Sequence, residues 1–420
     1  HADFLSGARE LARATGARPV LSDEGGDGWR YAWAAEAGAL LVKDGAKLMV
    51  GNIAVDVLHT PGHTPEHICF RITDTKATTR PMGVFTGDFV FVGDVGRPDL
   101  LEKAAGQAGT METAARTLFA SLQRFKQLPD YLQLWPGHGA GSACGKALGA
   151  VPSSTAGYER FANWAFTADE EDDFVAQVLA GQPEPPAYFA QMKRLNRDGP
   201  PARRTTRPDR IPGNALRDLV GEGAAVADTR RTLDFAAGHV RGSLNIPFGS
   251  SLATYAGSVL PYDKPIYLVA RESALDEVIT ALASVGLDDV AGWLPPEDIG
   301  APLDSTTQLP AAEAARQALA GDVTIVDVRR QSEWDEGHVA GAIHIPLAEV
   351  AARVAEIPPD RPVVLHCEGG GRSAVAAAVL RSLGRHDVAN LQGGIKAWIK
   401  AGLPVEKDEL ARIAPERRGG

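Results

Sequence analysis

The chain has 420 residues, 44% of them hydrophobic and 23% charged, with a formal net charge of −10. That length predicts two to four domains of ordinary globular composition, and the acidic balance excludes a nucleic-acid surface as the main business. No apolar run approaches the ~18 residues of a membrane-spanning helix, and three widely spaced cysteines (Cys69, Cys144, Cys367) are no disulfide framework, so a reducing, cytoplasmic location is expected.

In chain order, "LMVGNIAVDVLHT" and "GVFTGDFVFVG" read as strands leading into loops. "TMETAARTLFASLQRF" reads as an amphipathic helix, and "ADEEDDFVAQVLAG" at 168–181 as a helix whose opening acids complement its dipole. "GPPARRTTRPDRIPG" at 199–213 has no apolar periodicity and reads as a linker, and "LPPEDIGAPLDSTTQLP" at 294–310 is a second break. The blocks flanking that break repeat each other. Asp228 aligns with Asp327, Gly238-His239 with Gly337-His338, and Ile246-Pro247 with Ile345-Pro346. Such a period is a domain duplication. In the second copy "VTIVDV" and "PVVLHC" read as buried strands and "SAVAAAVLRSLG" as a helix closed by glycine, which together predict a parallel α/β sheet with its site at the carboxyl ends of the strands. The expected domains are 1–200, 205–303 and 307–413.

Cys367 sits at such a strand end, in "HCEGGGRS". The glycines Gly369, Gly370 and Gly371 let successive N–H groups turn inward as an anion nest. The helix starting near Ser373 adds its positive end and Arg372 adds a charge, so all three favour thiolate over thiol. Glu368 and Ser373 complete the loop. Aligning "PIYLVARESALDE" on "PVVLHCEGGGRSA" puts Ala270 under Cys367 and Leu275 under Arg372, so the first copy is expected to be chemically dead.

The N-terminal block carries "HADFLSG", "HTPGHTPEH", "FTGDFVFVGDVGRPD" and "WPGHGAGSACGK". Histidines and aspartates in loops after strands are metal-ligand chemistry. Cys144, six residues after His138, is either a thiol that accepts or relays sulfur near the metal or a residue packed under a glycine loop. Cys69 reads as a strand residue with a structural role.

The Cys367 loop and "GHVAGAIHIP" resemble the two signatures of rhodanese-type sulfurtransferases. Four residues separate Cys367 from Arg372, the sulfurtransferase length, where the related cysteine phosphatases have one more. The resemblance implies Cys367 as the persulfide-forming nucleophile, with Arg372 and the loop amides binding the sulfur-donor anion. The N-terminal block resembles the metallo-β-lactamase fold. On its His-x-His-x-Asp-His hallmark, His1 is the second histidine, Asp3 the aspartate, and Phe4 stands where the final histidine would be. His63, Asp88 and His138 follow. The first histidine and the opening strands would lie before residue 1.

With Phe4 unable to ligate, a mononuclear centre is the simpler expectation: His1, His63 and Asp88 as ligands, with Asp3, Arg97, His138 and Cys144 around the metal or against the substrate. Two histidines and a carboxylate match the facial triad of non-haem Fe(II) oxygenases. "TPGHTP", "FTGD" and Gly96-Arg97-Pro98-Asp99 are similar to persulfide dioxygenases, which are found fused to rhodanese domains. The fold class expected is α/β: a metallo-β-lactamase-like αββα sandwich, N-terminally truncated, followed by two rhodanese-like α/β domains. The activity implied is Fe(II)- and O₂-dependent oxidation of a low-molecular-weight thiol persulfide to sulfite, with sulfur transfer at Cys367 forming thiosulfate, as in hydrogen sulfide detoxification. No membrane or nucleic-acid partner is expected, and a homo-oligomer is. The alternatives are a zinc-dependent thioester hydrolase of the glyoxalase II type with accessory rhodanese domains, and a non-catalytic sulfur carrier.

Overall fold

A computed structural model describes residues 3–103, 109–140, 142, 144–146, 148–182, 184–186, 188–200, 202–204, 206–301 and 303–407. His1, one of the expected ligands, lies outside them. The chain divides into two compact units, His1–Ala202 and Arg203–Gly420.

The first unit is built on a six-stranded sheet. Its strands run Lys47–Val50, Ile53–His59, Ile68–Asp74, Gly83–Gly87, Gln133–Pro136 and Ser154–Thr155, each beside the next. All pairs are antiparallel except Gly83–Gly87 with Gln133–Pro136. A separate parallel pair joins Val20–Ser22 to Leu40–Val42. The expected amphipathic helix runs Met111–Phe125, and its apolar face (Ala115, Leu118, Leu122, Phe125) returns every three to four residues to bury against Val84 and Leu134 of the sheet. Each of the large side chains contributes about 1.5–3 kcal/mol by that burial. The acid-opened helix is Glu171–Leu179, and Arg116 pairs with both Glu171 and Asp172 at its start. The strand read in "GVFTGDFVFVG" is shorter than its apolar pattern suggests. It stops at Gly87, whose φ is +53°, and the Thr86 hydroxyl donates to the Val90 carbonyl at 2.6 Å to turn the chain. Phe89, Val90 and Phe91 are therefore buried in a loop, not along a strand.

The second unit holds two five-stranded, wholly parallel sheets of the same order. In one, the neighbours run Leu244–Asn245, Ala225–Asp228, Ile266–Val269, Val290–Leu294, Asp209–Arg210; in the other, Ile343–His344, Thr324–Asp327, Val363–His366, Val388–Leu391, Thr307–Leu309. The duplication extends to side chains. Arg230 grips Asp228 and donates to the Gly238 carbonyl at 2.8 Å; Arg329 grips Asp327 and donates to the Gly337 carbonyl at 2.7 Å. His239 stacks on Phe235 with centroids 4.0 Å apart, and His338 stacks on Trp334 at 3.6 Å. Both "Gly-His" signatures are thus packing devices.

Two stretches read as breaks carry structure. The end of the 199–213 stretch becomes the edge strand Asp209–Arg210. In the second, Asp304 bridges to His239 of the first copy and pairs with Arg381 of the second at 2.7 Å, so it fastens the copies together.

Candidate active sites

In the first unit, side chains from the loops after three strands converge. His63 follows Ile53–His59, Asp88 follows Gly83–Gly87, and His138 follows Gln133–Pro136. His63 Nε2 lies 3.6 Å from Asp88 Oδ2, and His138 Nε2 lies 3.1 Å from Asp88 Oδ1 and 3.4 Å from Asp3 Oδ2. One ligand atom each from Asp3, His138 and Cys144 falls within 4.8 Å of the others. Among the described residues, Asp3 Oδ1 is buried with no hydrogen-bond partner. Carboxylates and imidazole nitrogens turned together in this way fit a divalent cation, and the nitrogen–oxygen set suits iron or zinc.

The tautomers follow from the partners. His63 Nδ1 sits 3.0 Å from the Arg97 carbonyl, which only accepts, so Nδ1 carries the proton and the Nε2 lone pair faces Asp88. His67, four residues on, is differently employed. The Asp88 backbone N–H donates to His67 Nε2 at 3.1 Å, leaving Nδ1 to donate to the Thr60 hydroxyl at 2.8 Å. Burial, then the neighbouring His63, pushes the His67 imidazole down to about 3. It is a neutral prop for Asp88. His59, the third histidine of the segment, hydrogen-bonds the Pro65 carbonyl at 2.8 Å.

Burial pushes the His63 imidazole down. Burial also works against charge on His138, but the Asp88 carboxylate and the Cys144 thiol outweigh it and lift the imidazole to about 11. Burial works to raise Asp88, and hydrogen bonding to His138 together with His63 wins and holds it well below the usual carboxylate range. Asp88 and His138 thus stabilise opposite charges on each other.

The Arg97 guanidinium is fully buried and binds Asp99 through two contacts of 2.9 and 2.7 Å, and its carbonyl holds His63. Gly96 is required here, because a Cβ would lie 1.8 Å from the Asp88 carbonyl oxygen. The loop is closed from behind by Asn163, which donates to the Asp94 carbonyl at 3.0 Å, and by Glu159, which accepts from the Gly93 amide at 2.9 Å. Cys144 is buried beside His138, while Cys69 is buried in the strand core and holds the Thr60 hydroxyl at 3.2 Å.

In the second unit, Cys367 ends the strand Val363–His366 and is buried. The Gly370 amide donates to Sγ at 3.1 Å and the Ser373 hydroxyl does so at 3.4 Å. The helix begins at Gly371, two residues before the expected Ser373, because Gly370 at φ +94° turns the chain into it. The Asn390 side chain holds the Gly370 carbonyl at 3.2 Å.

The Arg372 guanidinium is gripped in two-pronged fashion by Glu333, both contacts 2.6 Å, so its charge is matched by a carboxylate beside the loop. Burial works to raise Glu333, but the hydrogen bonds from Arg372 prevail and bring it down to about 2. Glu368 is exposed and pairs with Lys396 at 2.7 Å. In the degenerate copy Ala270 and Leu275 are both buried apolar residues and Glu272–Ala274 forms a short 3-10 turn in place of the glycine loop.

Sequence reasoning passed over His67 and Glu333. His67 was one of three equivalent histidines in nine residues; Glu333 lies 39 residues from its partner with no local pattern pointing to it.

Residues 1–138 match the metallo-beta-lactamase superfamily, and residues 311–401 match the rhodanese-like domain. A solved metallo-beta-lactamase from Staphylococcus aureus subsp. aureus COL is 41% identical, with a TM-score of 0.64, and the match covers 70% of this chain and 83% of that one. That is more than the first unit alone, so the likeness runs on beyond Ala202. A sulfurtransferase of Allochromatium vinosum is 40% identical over 107 residues, 25% of this chain and 94% of the relative. The HTH-type transcriptional regulator Rv0324 of Mycobacterium tuberculosis is 41% identical over 141 residues, 33% of this chain, and the match spans 59% of that relative's length.

Proposed function

The chain belongs to the metallo-β-lactamase superfamily through its N-terminal part and carries a rhodanese-like domain at its C-terminal part, and on that premise we propose a two-site enzyme of sulfur metabolism. The first site oxidises a low-molecular-weight thiol persulfide to sulfite and free thiol, consuming one O₂ and one water. The second moves sulfane sulfur through Cys367, so that sulfite becomes thiosulfate. The observation that carries the first half is the convergence of His63, His138 and Asp88, two imidazoles and one carboxylate, in a chain with Phe4 at the position of a further ligand.

His63, His138 and Asp88, with Asp3 adjacent, would hold Fe(II), which supplies O₂ activation and a seat for the persulfide sulfur. The chain's own contribution is orientation. Arg97 fixes the His63 tautomer through its carbonyl, His67 anchors the Asp88 backbone, and Phe91, 5.8 Å from the His138 ring, gives the site an apolar wall. At the second site, the Gly370 amide and Ser373 hydroxyl steady a thiolate or persulfide on Cys367.

A zinc hydrolase is the second reading, favoured by the Asp3–His138–Cys144 grouping, since a thiol among nitrogen and oxygen donors suits zinc. One experiment separates them. Protein loaded with Fe(II) or Zn(II) is given glutathione persulfide, with oxygen uptake, sulfite and thiosulfate followed together. Uptake with iron alone is expected. His63→Ala should lower it by about a hundred-fold or more while leaving sulfur transfer intact. Cys367→Ser should keep oxygen uptake and lose thiosulfate. A zinc-loaded protein that hydrolyses thioesters, with an iron form inert to O₂, would overturn the reading.

A further inference from the structure

The degenerate copy leans on the live loop. Its helix Leu252–Val259 and its strand Leu244–Asn245 pack against Gly371–Ser382, the helix that opens at the Cys367 loop. Tyr255 on that helix is half-buried, and a Cβ built on Gly371, the third loop glycine, would lie 3.9 Å from its hydroxyl. A phenol from a copy with no cysteine of its own therefore stands at the mouth of the loop.

The charged side chains around the loop are already engaged. The Arg372 charge is already matched by Glu333, and the exposed Lys396 is paired with Glu368. The Gly370 amide is engaged by the Cys367 sulfur itself. Burial, then the charge on Cys367, pushes the Tyr255 hydroxyl up while Arg372 and a hydrogen bond with Ser251 work the other way, and the phenol keeps its proton at neutral pH.

Resting on the sulfurtransferase reading above, we propose that the degenerate copy completes the Cys367 site, Tyr255 donating its hydroxyl proton to the oxygens of a small sulfur oxyanion, thiosulfate or sulfite. In the forward half-reaction the Cys367 thiolate attacks the outer sulfur of thiosulfate. A sulfur–sulfur bond to Cys367 forms, the bond to the sulfonyl sulfur breaks, and the electron pair leaves on sulfite. Run in reverse, sulfite attacks the outer sulfur of the Cys367 persulfide and the cysteine returns to thiolate. In both directions the charge on the oxyanion oxygens changes while Tyr255 faces them. A thiol persulfide donor brings no such oxygens.

The test is the intact chain carrying Tyr255→Phe, which keeps the ring and its packing. Sulfur transfer to cyanide is measured with two donors, thiosulfate and glutathione persulfide. With thiosulfate, kcat/KM should fall about ten- to a hundred-fold, the loss of one hydrogen bond to a charged group. With glutathione persulfide it should stay within about two-fold of wild type, a difference that a merely structural role for the phenol does not produce. Equal losses with both donors, or none with either, would overturn the role of Tyr255. A wild type inert to both donors would instead overturn the sulfurtransferase reading and take the inference with it.

Discussion

At the level of single residues, chemistry here is decided by what each polar side chain touches first. "HTPGHTPEH" offers three histidines, and the structure spends two of them on backbone and hydroxyl groups and presents His63 to the site. Arg97, expected around the metal or against the substrate, and Arg372, expected to bind the donor anion, are both bound by carboxylates, Asp99 and Glu333. The carboxylate that grips such an arginine becomes a residue to test. Glu333 is pulled from an ordinary 4.5 down to about 2 when folded. A depressed folded value means that its contribution to stability is fully present above about pH 4.5 and is lost as pH falls toward 2. Glu333→Gln removes that dependence. Urea unfolding across pH 2–7 should show wild type more stable than the variant by a constant margin above pH 4.5, with the margin closing below it. A margin independent of pH would mean that the pair contributes nothing through ionisation.

Among elements, the pattern of apolar residues reached the helices and the sheet of the second unit, because burial on one face imposes a period that the sequence must carry. The helix Met111–Phe125 and the strands Thr324–Asp327 and Val363–His366 were legible for that reason. The loop after Gly87 was not, since Phe89, Val90 and Phe91 bury as thoroughly as strand residues while the backbone turns through a side-chain hydrogen bond. The live and degenerate loops were distinguishable because glycines and cysteine are local. Tyr255 was invisible because the glycine loop it neighbours, at Gly371, lies in the other copy. The loop's dependence on close backbone crossing gives an element-scale prediction. Gly96→Ala places a methyl 1.8 Å from the Asp88 carbonyl oxygen, and neither backbone can yield without moving Asp88 or the Arg97 carbonyl that holds His63. It should cost about 3 kcal/mol or more in stability and lower the bound metal per chain. Gly139→Ala, where a Cβ meets nothing within 4 Å, should change stability by less than about 0.5 kcal/mol. Thermal unfolding and metal analysis of both variants check this, and equal effects would show that the crossing is soft.

For the whole molecule, the question is why the proposed metal and sulfur-transfer sites share one chain. The product proposed for the first, sulfite, is the acceptor proposed for the second, so one chain keeps the two activities in fixed ratio. The effective concentration that a linker creates acts on groups that stay tethered, and released sulfite does not. Sulfite released at the first site should therefore mix with the medium before it meets a Cys367 persulfide. The check is isotopic. Iron-loaded protein turns over glutathione persulfide in the presence of about 50 µM sulfur-labelled sulfite, an excess over the sulfite formed early in the reaction. Early thiosulfate should carry label at the value of the sulfite pool. Cys367→Ser protein mixed with His63→Ala protein, which puts the two activities on separate chains, should give the same label. Much less label from the intact chain than from the mixture would overturn free release and mean that sulfite is handed over directly.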